Sequence, residues 1–357
     1  HTINRPCFRC PPDGFDPRAP YLCAMRIVPI FLAITAFLAG CKNGDEEKCA
    51  FIPDTSGKKV TVKVEQLEDS VTRFSSKEEL VGFFSRNTVL RDVFFNRKAY
   101  PDDSVFINEL YTRFNNPYFD SLLIDTHQVF GDLRGLKDEL NEAFTNLAYY
   151  YPHVKTPKVK TVITGLESDI FVSDSLIIIG LDYYLGPGAR YKPNMYDYML
   201  RRYRKNFIVP SIMLLYGIDG QFNKTNLEDR TVLADMISYG KSYYFAKQML
   251  PCVPDSVLIG YTAEELKGSR ENSDLIWKRL VQDEVFYSTS HLIKQKYIAE
   301  RPKTLEVGEK CPGRIATWVG WEVVKKYMAG HSGVGLPQLM QNPSAKEIFS
   351  ESGYKPM

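Results

Sequence analysis

Hydrophobic and polar positions change period repeatedly along the chain, and each period predicts an element. Val60, Val62 and Val64 alternate with Lys59, Thr61 and Lys63, the pattern of a half-buried strand. Ser76 followed by Glu79 reads as a capping box ahead of Leu80, Phe83 and Phe84, with helical spacing continuing through Leu90, Val93 and Phe94. Between Asp103 and Ala148 apolar residues again recur at helical spacing: Phe106, Leu110 and Phe114, then Leu136, Leu140, Phe144 and Leu147. Pro152 and Pro157 break that pattern. Beyond them Val159–Ile163, Ile170–Val172 and Leu176–Ile179 are β-rich runs separated by Gly165, Asp169 and Asp174, which predicts adjacent antiparallel strands closed by the Gly186-Pro187-Gly188 turn.

From Tyr196 onward helical spacing returns. Leu233, Met236, Ile237, Gly240 and Tyr244 share one face of a helix stopped by Pro251. Gly240 inside that face costs about 1 kcal/mol against alanine, which predicts a close neighbour there. A second helix is expected from about Gly313 to Ala329, carrying Trp318, Trp321, Val324 and Met328. The predicted fold class is α+β, mostly helical with a small antiparallel sheet.

One apolar run belongs to none of these elements. Met25, Arg26, the stretch Ile27–Leu38 and then Leu38-Ala39-Gly40-Cys41 have the layout of a bacterial signal peptide ending in a lipobox, with small residues immediately before a cysteine. The run is short of the roughly 20 apolar residues that span a bilayer. A buried core helix or an ordinary secretory signal are the alternatives. The lipobox reading makes Cys41 the first mature residue and gives it the acyl chains that hold a protein stably on a membrane face. Residues 1–24, rich in Pro, Arg and Cys, read as an upstream extension, in which the Cys7 and Cys10 pair lacks a second pair and a following helix. Residues 25–40 are then the signal, 41–57 a lipidated polar tether, and 58–357 a single domain. The acidic triplet Asp45-Glu46-Glu47 resembles an export signal of surface lipoproteins in gliding bacteria; on composition it reads as solvated tether.

Composition narrows the function classes. With 43 acidic and 45 basic residues, net charge is +2, and the basic run Arg201-Arg202-Tyr203-Arg204-Lys205 reads as a solvated helix face; nucleic acid is not expected as a partner. In an exported chain Cys49, Cys252 and Cys311 can supply a disulfide, but spacing does not select the pair.

Catalytic signatures are sparse. No G-x-S-x-G elbow, P-loop or G-x-G-x-x-G turn opens a helix after a strand. Asp125 and His127 can pair as base and orienter with a distant serine, although an Asp-Thr-His run is more often a local hydrogen-bonded turn or a core histidine.

Several motifs in order carry a resemblance. Asp125-Thr126-His127 with Val129-Phe130-Gly131-Asp132, Ile237-Ser238-Tyr239-Gly240-Lys241 with Tyr244-Phe245, Leu250-Pro251, Ile259-Gly260-Tyr261-Thr262, Ile276-Trp277, Pro312-Gly313-Arg314 before Trp318–Val324, and terminal Tyr354-Lys355-Pro356 resemble the gliding-motility lipoprotein GldB family over nearly the whole mature chain. The resemblance implies a lipid-anchored envelope protein that serves gliding motility and its associated secretion apparatus through other envelope proteins.

That family is similar in turn to zincin-like metallopeptidases, in which an HExxH helix grips zinc and a later helix supplies a glutamate. Here Pro210–Tyr216 occupies the first helix without a histidine, and Tyr239 stands where that glutamate is expected. The expectation is a zincin-like domain that has lost its zinc ligands, holds no cofactor and is not an enzyme. Its alternatives are a metal-dependent peptidase with unusual ligands and a small-molecule or glycan binder. Tyr239, Gly240, Lys241, Tyr244, Arg314, Trp318 and Trp321 mark either a ligand groove between the two helices or a packing face.

Overall fold

The sheet divides the apolar interior into two cores. In the computed structural model, which describes residues 49–57 and 59–356, the strands are β1 (Val64–Gln66), β2 (Lys158–Val162), β3 (Ile170–Val172) and β4 (Leu176–Gly180), ordered β1-β2-β4-β3. The helices are α1 (Lys77–Arg86), α2 (Asp103–Phe114), α3 (Pro117–Phe130), α4 (Arg134–Tyr150), α5 (Asp197–Leu200), α6 (Ile208–Ile218), α7 (Val232–Met249), α8 (Asp255–Ile259), α9 (Ala263–Glu271), α10 (Ser273–Gln282), α11 (His291–Tyr297), α12 (Ile315–Gly330), α13 (Leu336–Gln341) and α14 (Ala345–Ser352). The expected upstream extension, signal segment, Cys41 and acidic triplet lie outside the described residues.

Alternation along β4 explains the division. Ile178 faces a phenylalanine-rich core built by α1, α2 and α3, including Phe83, Phe84, Phe106 and Phe114, whereas Ile177 and Ile179 face a larger core shared by α4, α6, α7 and α12. A strand covered on both faces reads as a continuous apolar run, which is what Leu176–Ile179 shows.

The sheet is mixed, which corrects the antiparallel expectation. β1 pairs with β2 and β2 with β4 in parallel, and only β3 and β4 run antiparallel. The Ser173–Ser175 link is a hairpin connection, but Ile163–Asp169 is long enough to carry the chain past one strand position to the outer edge. That loop is pinned by the buried Asp182 carboxylate, which accepts from the Thr164 and Leu166 amides at 3.1 and 2.6 Å. Burial nevertheless pushes Asp182 up to about 6.

Two local departures have similarly simple causes. The expected Val60–Val64 strand joins the sheet only from Val64, because the Val60 and Val62 amides donate to Thr145 Oγ1 and Asn141 Oδ1 of α4 instead. At α1 the Ser76 hydroxyl caps Glu79, but the Glu79 carboxylate accepts from the Ser75 amide, one residue farther back than a capping box requires. The segment expected to be tether is already attached at Cys49, through a disulfide to Cys252 and a hydrogen bond from the Ala50 amide to the Pro251 carbonyl.

Candidate functional site

Helices α7 and α12 cross at two glycines, and that contact determines where ligand space exists. A Cβ on Gly240 would lie 2.4 Å from the Gly320 carbonyl oxygen, and one on Gly320 would lie 1.9 Å from that of Met236. Trp318 and Trp321 are fully buried beside the crossing, and their indole nitrogens have no partner among the described residues. At Gly240 and Trp318 the expected groove or packing face is therefore filled packing.

Successive residues on a helix point about 100° apart, so Tyr239, Gly240 and Lys241 face three directions. Lys241 turns away from α12 into a fully buried niche, donating to Thr225 Oγ1 at 3.2 Å and to the carbonyls of Met340 and Asn342. Among the described residues no carboxylate pairs with it there, and burial lowers its pKa to about 8. Tyr244 and Trp321 border a cleft of about 750 Å³ on one side of the helix pair, together with Tyr150, Met328 and Phe51. At its rim the Asp255 carboxylate receives Lys247, Arg270 and Lys325 at 3.2, 3.1 and 2.8 Å. Burial raises the Asp255 pKa, but Lys325 and Lys247 outweigh it and the net shift is downward.

Tyr239 and Arg314 meet in a second cleft, of about 430 Å³, between α6, α7 and the sheet. Ser211, Leu214 and Leu215 of α6 form one wall, Tyr239, Ser242 and Tyr243 of α7 the floor, and Asp169, Tyr203 and Arg314 the opposite side. Arg314 has a left-handed backbone (φ 58°), which delays the start of α12 to Ile315. Its guanidinium donates to the Ile259 carbonyl at 2.8 Å and the Tyr243 hydroxyl at 3.3 Å, and it pairs with Glu300 at 3.4 Å. Tyr203 donates to Asp169 at 3.1 Å; burial first, then that carboxylate, raises its phenol pKa. Tyr239 is 40% exposed and its phenol is likewise raised by burial.

This second cleft is bordered by α6 and α7, the helices on which zinc ligands were expected to be missing, and its donor set does not fit that ion. Zinc takes imidazole, thiolate or carboxylate, with histidines four apart on one helix face. The i,i+4 pairs that α6 presents to the cleft are Ser211 with Leu215 and Leu214 with Ile218, α7 supplies Tyr239, and the Arg314 cation lies beside them. Among the described residues no three His, Cys, Asp or Glu side chains are grouped to hold a metal ion. Asp125 and His127 do not pair with each other: Asp125 binds Arg190 at 2.9 Å and His127 binds Asp69 at 3.0 Å, both on the outer surface of α3.

Reading by sequence missed Asp169, Tyr203 and Tyr243. Tyr243 was visible as the residue four beyond Tyr239 on the same helix face; Asp169 and Tyr203 reach the cleft only through the tertiary path of the chain.

Comparison with protein-family models matches residues 48–356 to one described as Gliding motility protein GldB. No curated protein and no solved structure matches the chain significantly.

Proposed function

Because the chain belongs to the GldB family of gliding-motility proteins, we propose that it is a membrane-held binding component of the motility machinery, anchored by lipid on Cys41 and working without catalysis. The observation that supports this reading is the second cleft. Its polar groups are phenols, the Ser211 and Ser242 hydroxyls, the Arg202 and Arg314 guanidiniums and the Asp169 carboxylate, and the charged ones are already partnered, Arg314 with Tyr243 and Glu300, Arg202 with Glu300, Asp169 with Tyr203. A hydrolase needs a group free to take up or release a proton at the reacting atom. A recognition surface needs aromatic side chains held rigidly around a fixed charge, which this cleft has. Partners are other envelope proteins of the motility or secretion apparatus.

The anchor is tested by fractionation. Replacing Cys41 with alanine moves the protein from the membrane to the soluble fraction and abolishes complementation of a deletion strain scored for gliding. Unchanged membrane fractionation overturns the anchor, and full complementation by a demonstrably soluble variant overturns its role in motility.

A further inference from the structure

Among the described residues strand β3 is the outer strand of the sheet and pairs with β4 alone. Along an antiparallel pair, alternate residues direct their amide and carbonyl to the neighbour and those between direct them away. The Asp169 carbonyl accepts from Gly180 and the Ser173 amide donates to Leu176, so Asp169, Phe171 and Ser173 face β4, whereas Ile170 and Val172 face outward. The Ile170 amide turns back to the Asp169 carboxylate at 2.7 Å. The Val172 amide and the carbonyls of Ile170 and Val172 have no partner among the described residues.

Free edges are ordinarily blunted by lysine, proline, a bulge or a covering element. Among the described residues the Ile170-Phe171-Val172 edge has none of these and is limited only by its length of three residues. It runs instead between clefts. Those of about 430 and 320 Å³ border it on the α6 side, and one of about 260 Å³ on the other, and Ile170 lines all three. Apolar side chains stand exposed along both margins, Leu215 (43%) and Ile218 (37%) from α6 and Val93 (51%) opposite.

Charge along this edge is asymmetric. At one end Arg202 and Arg314 are both held by Glu300, at 2.9 and 3.4 Å, with Asp169 nearby. At the other, Asp174 and Asp219 line the cleft of about 320 Å³, exposed and in no ion pair among the described residues. The unbalanced charge of the groove is therefore negative.

We propose that β3 is a docking edge for an extended segment of another polypeptide, which joins the sheet as its outermost strand, seats alternate apolar side chains in the flanking clefts and places a lysine or arginine over Asp174 and Asp219. Backbone hydrogen bonds to Val172 and Ile170 supply the attachment, and the clefts and the acidic pair supply selectivity. The inference rests on reading the domain as a binding component and names the class of partner.

The test is selection of decapeptides from a displayed random library on the full chain, purified in detergent and immobilised. Enriched peptides are expected to alternate apolar residues around a basic one. Two changes should each weaken a selected peptide about tenfold, the worth of one or two backbone hydrogen bonds. One is N-methylation of its alternate amides; the other is Val172→Pro, which removes the outward amide at an edge position that tolerates proline. Asp174→Asn with Asp219→Asn should erase the preference for the basic residue. The peptide modification needs no change to the protein, so a variant that misfolds leaves the test intact. No enrichment over an unrelated immobilised protein, or binding indifferent to N-methylation, overturns the inference. Cleavage of a peptide bound through its backbone would retain the docking edge and overturn the non-catalytic reading.

Discussion

Gly240 and Gly320 lie so close that a methyl group on the first would stand 2.4 Å from the carbonyl oxygen of the second. The main chains of α7 and α12 thus touch directly, and this crossing orients Tyr239 towards one cleft and Trp321 towards the other. Gly240→Ala and Gly320→Ala should each destabilise the fold by about 1–3 kcal/mol, the usual cost of overpacking, with Gly320 the worse because the clash there is with the Met236 carbonyl at 1.9 Å. Gly268→Ala in α9, with open space around it, should instead stabilise by about 0.5–1 kcal/mol. Urea unfolding of the three variants checks this; equal midpoints for Gly240→Ala and parent would contradict the close crossing.

Lys241 makes stability depend on pH in an unusual direction. Its pKa is about 8 in the fold and about 10.4 in an unfolded chain. Below pH 8 both states carry the charge. Between pH 8 and about 10 the unfolded state retains a proton that the folded state has released, so this group's contribution to stability rises with pH through that window. The full rise is on the order of 3 kcal/mol. Measured against Lys241→Met, in which the tyrosines still titrate alike, the parent should gain stability between pH 8 and 10. Parallel curves for the two proteins would contradict it.

The Cys49–Cys252 disulfide closes a separation of 203 residues and fixes Cys49 beside the end of α7. Its loss should cost about 2–5 kcal/mol, towards the upper end for so long a loop. Reductant and Cys252→Ser should lower the urea midpoint equally, and reductant should do nothing further to the variant. Cys311 is buried and its thiol is pushed up to about 12, so it should resist alkylation in the native protein at pH 8. Rapid native alkylation of Cys311 would place it at the surface instead.

Elements whose burial follows a local period were legible in the sequence. Phe106, Leu110 and Phe114, or Leu136, Leu140 and Phe144, announce their helices because each faces one core. The order of the strands was not legible: Ile163–Asp169 and Ser173–Ser175 both look like short links, and only the anchoring of the first on Asp182, distant in sequence and beyond both strands, carries the chain to the sheet edge. The candidate residues on α7 were correctly grouped by element but not by direction, since Tyr239, Gly240 and Lys241 serve a cleft, a helix crossing and a buried niche respectively. Gly240 was the informative one, because a glycine inside an apolar helix face signals backbone contact whatever lies opposite.

The cleft under Tyr239 and Arg314 is proposed to recognise a partner and not to hold a catalytic metal. The direct measurement is zinc content of the full chain, purified in detergent, incubated with excess zinc and desalted, with elemental analysis per mole of protein. Only background zinc is expected, the same in parent and in Tyr239→Phe. Near-stoichiometric zinc in the parent, lost in Tyr239→Phe, would contradict it and make the cleft a metal site with a phenolate ligand.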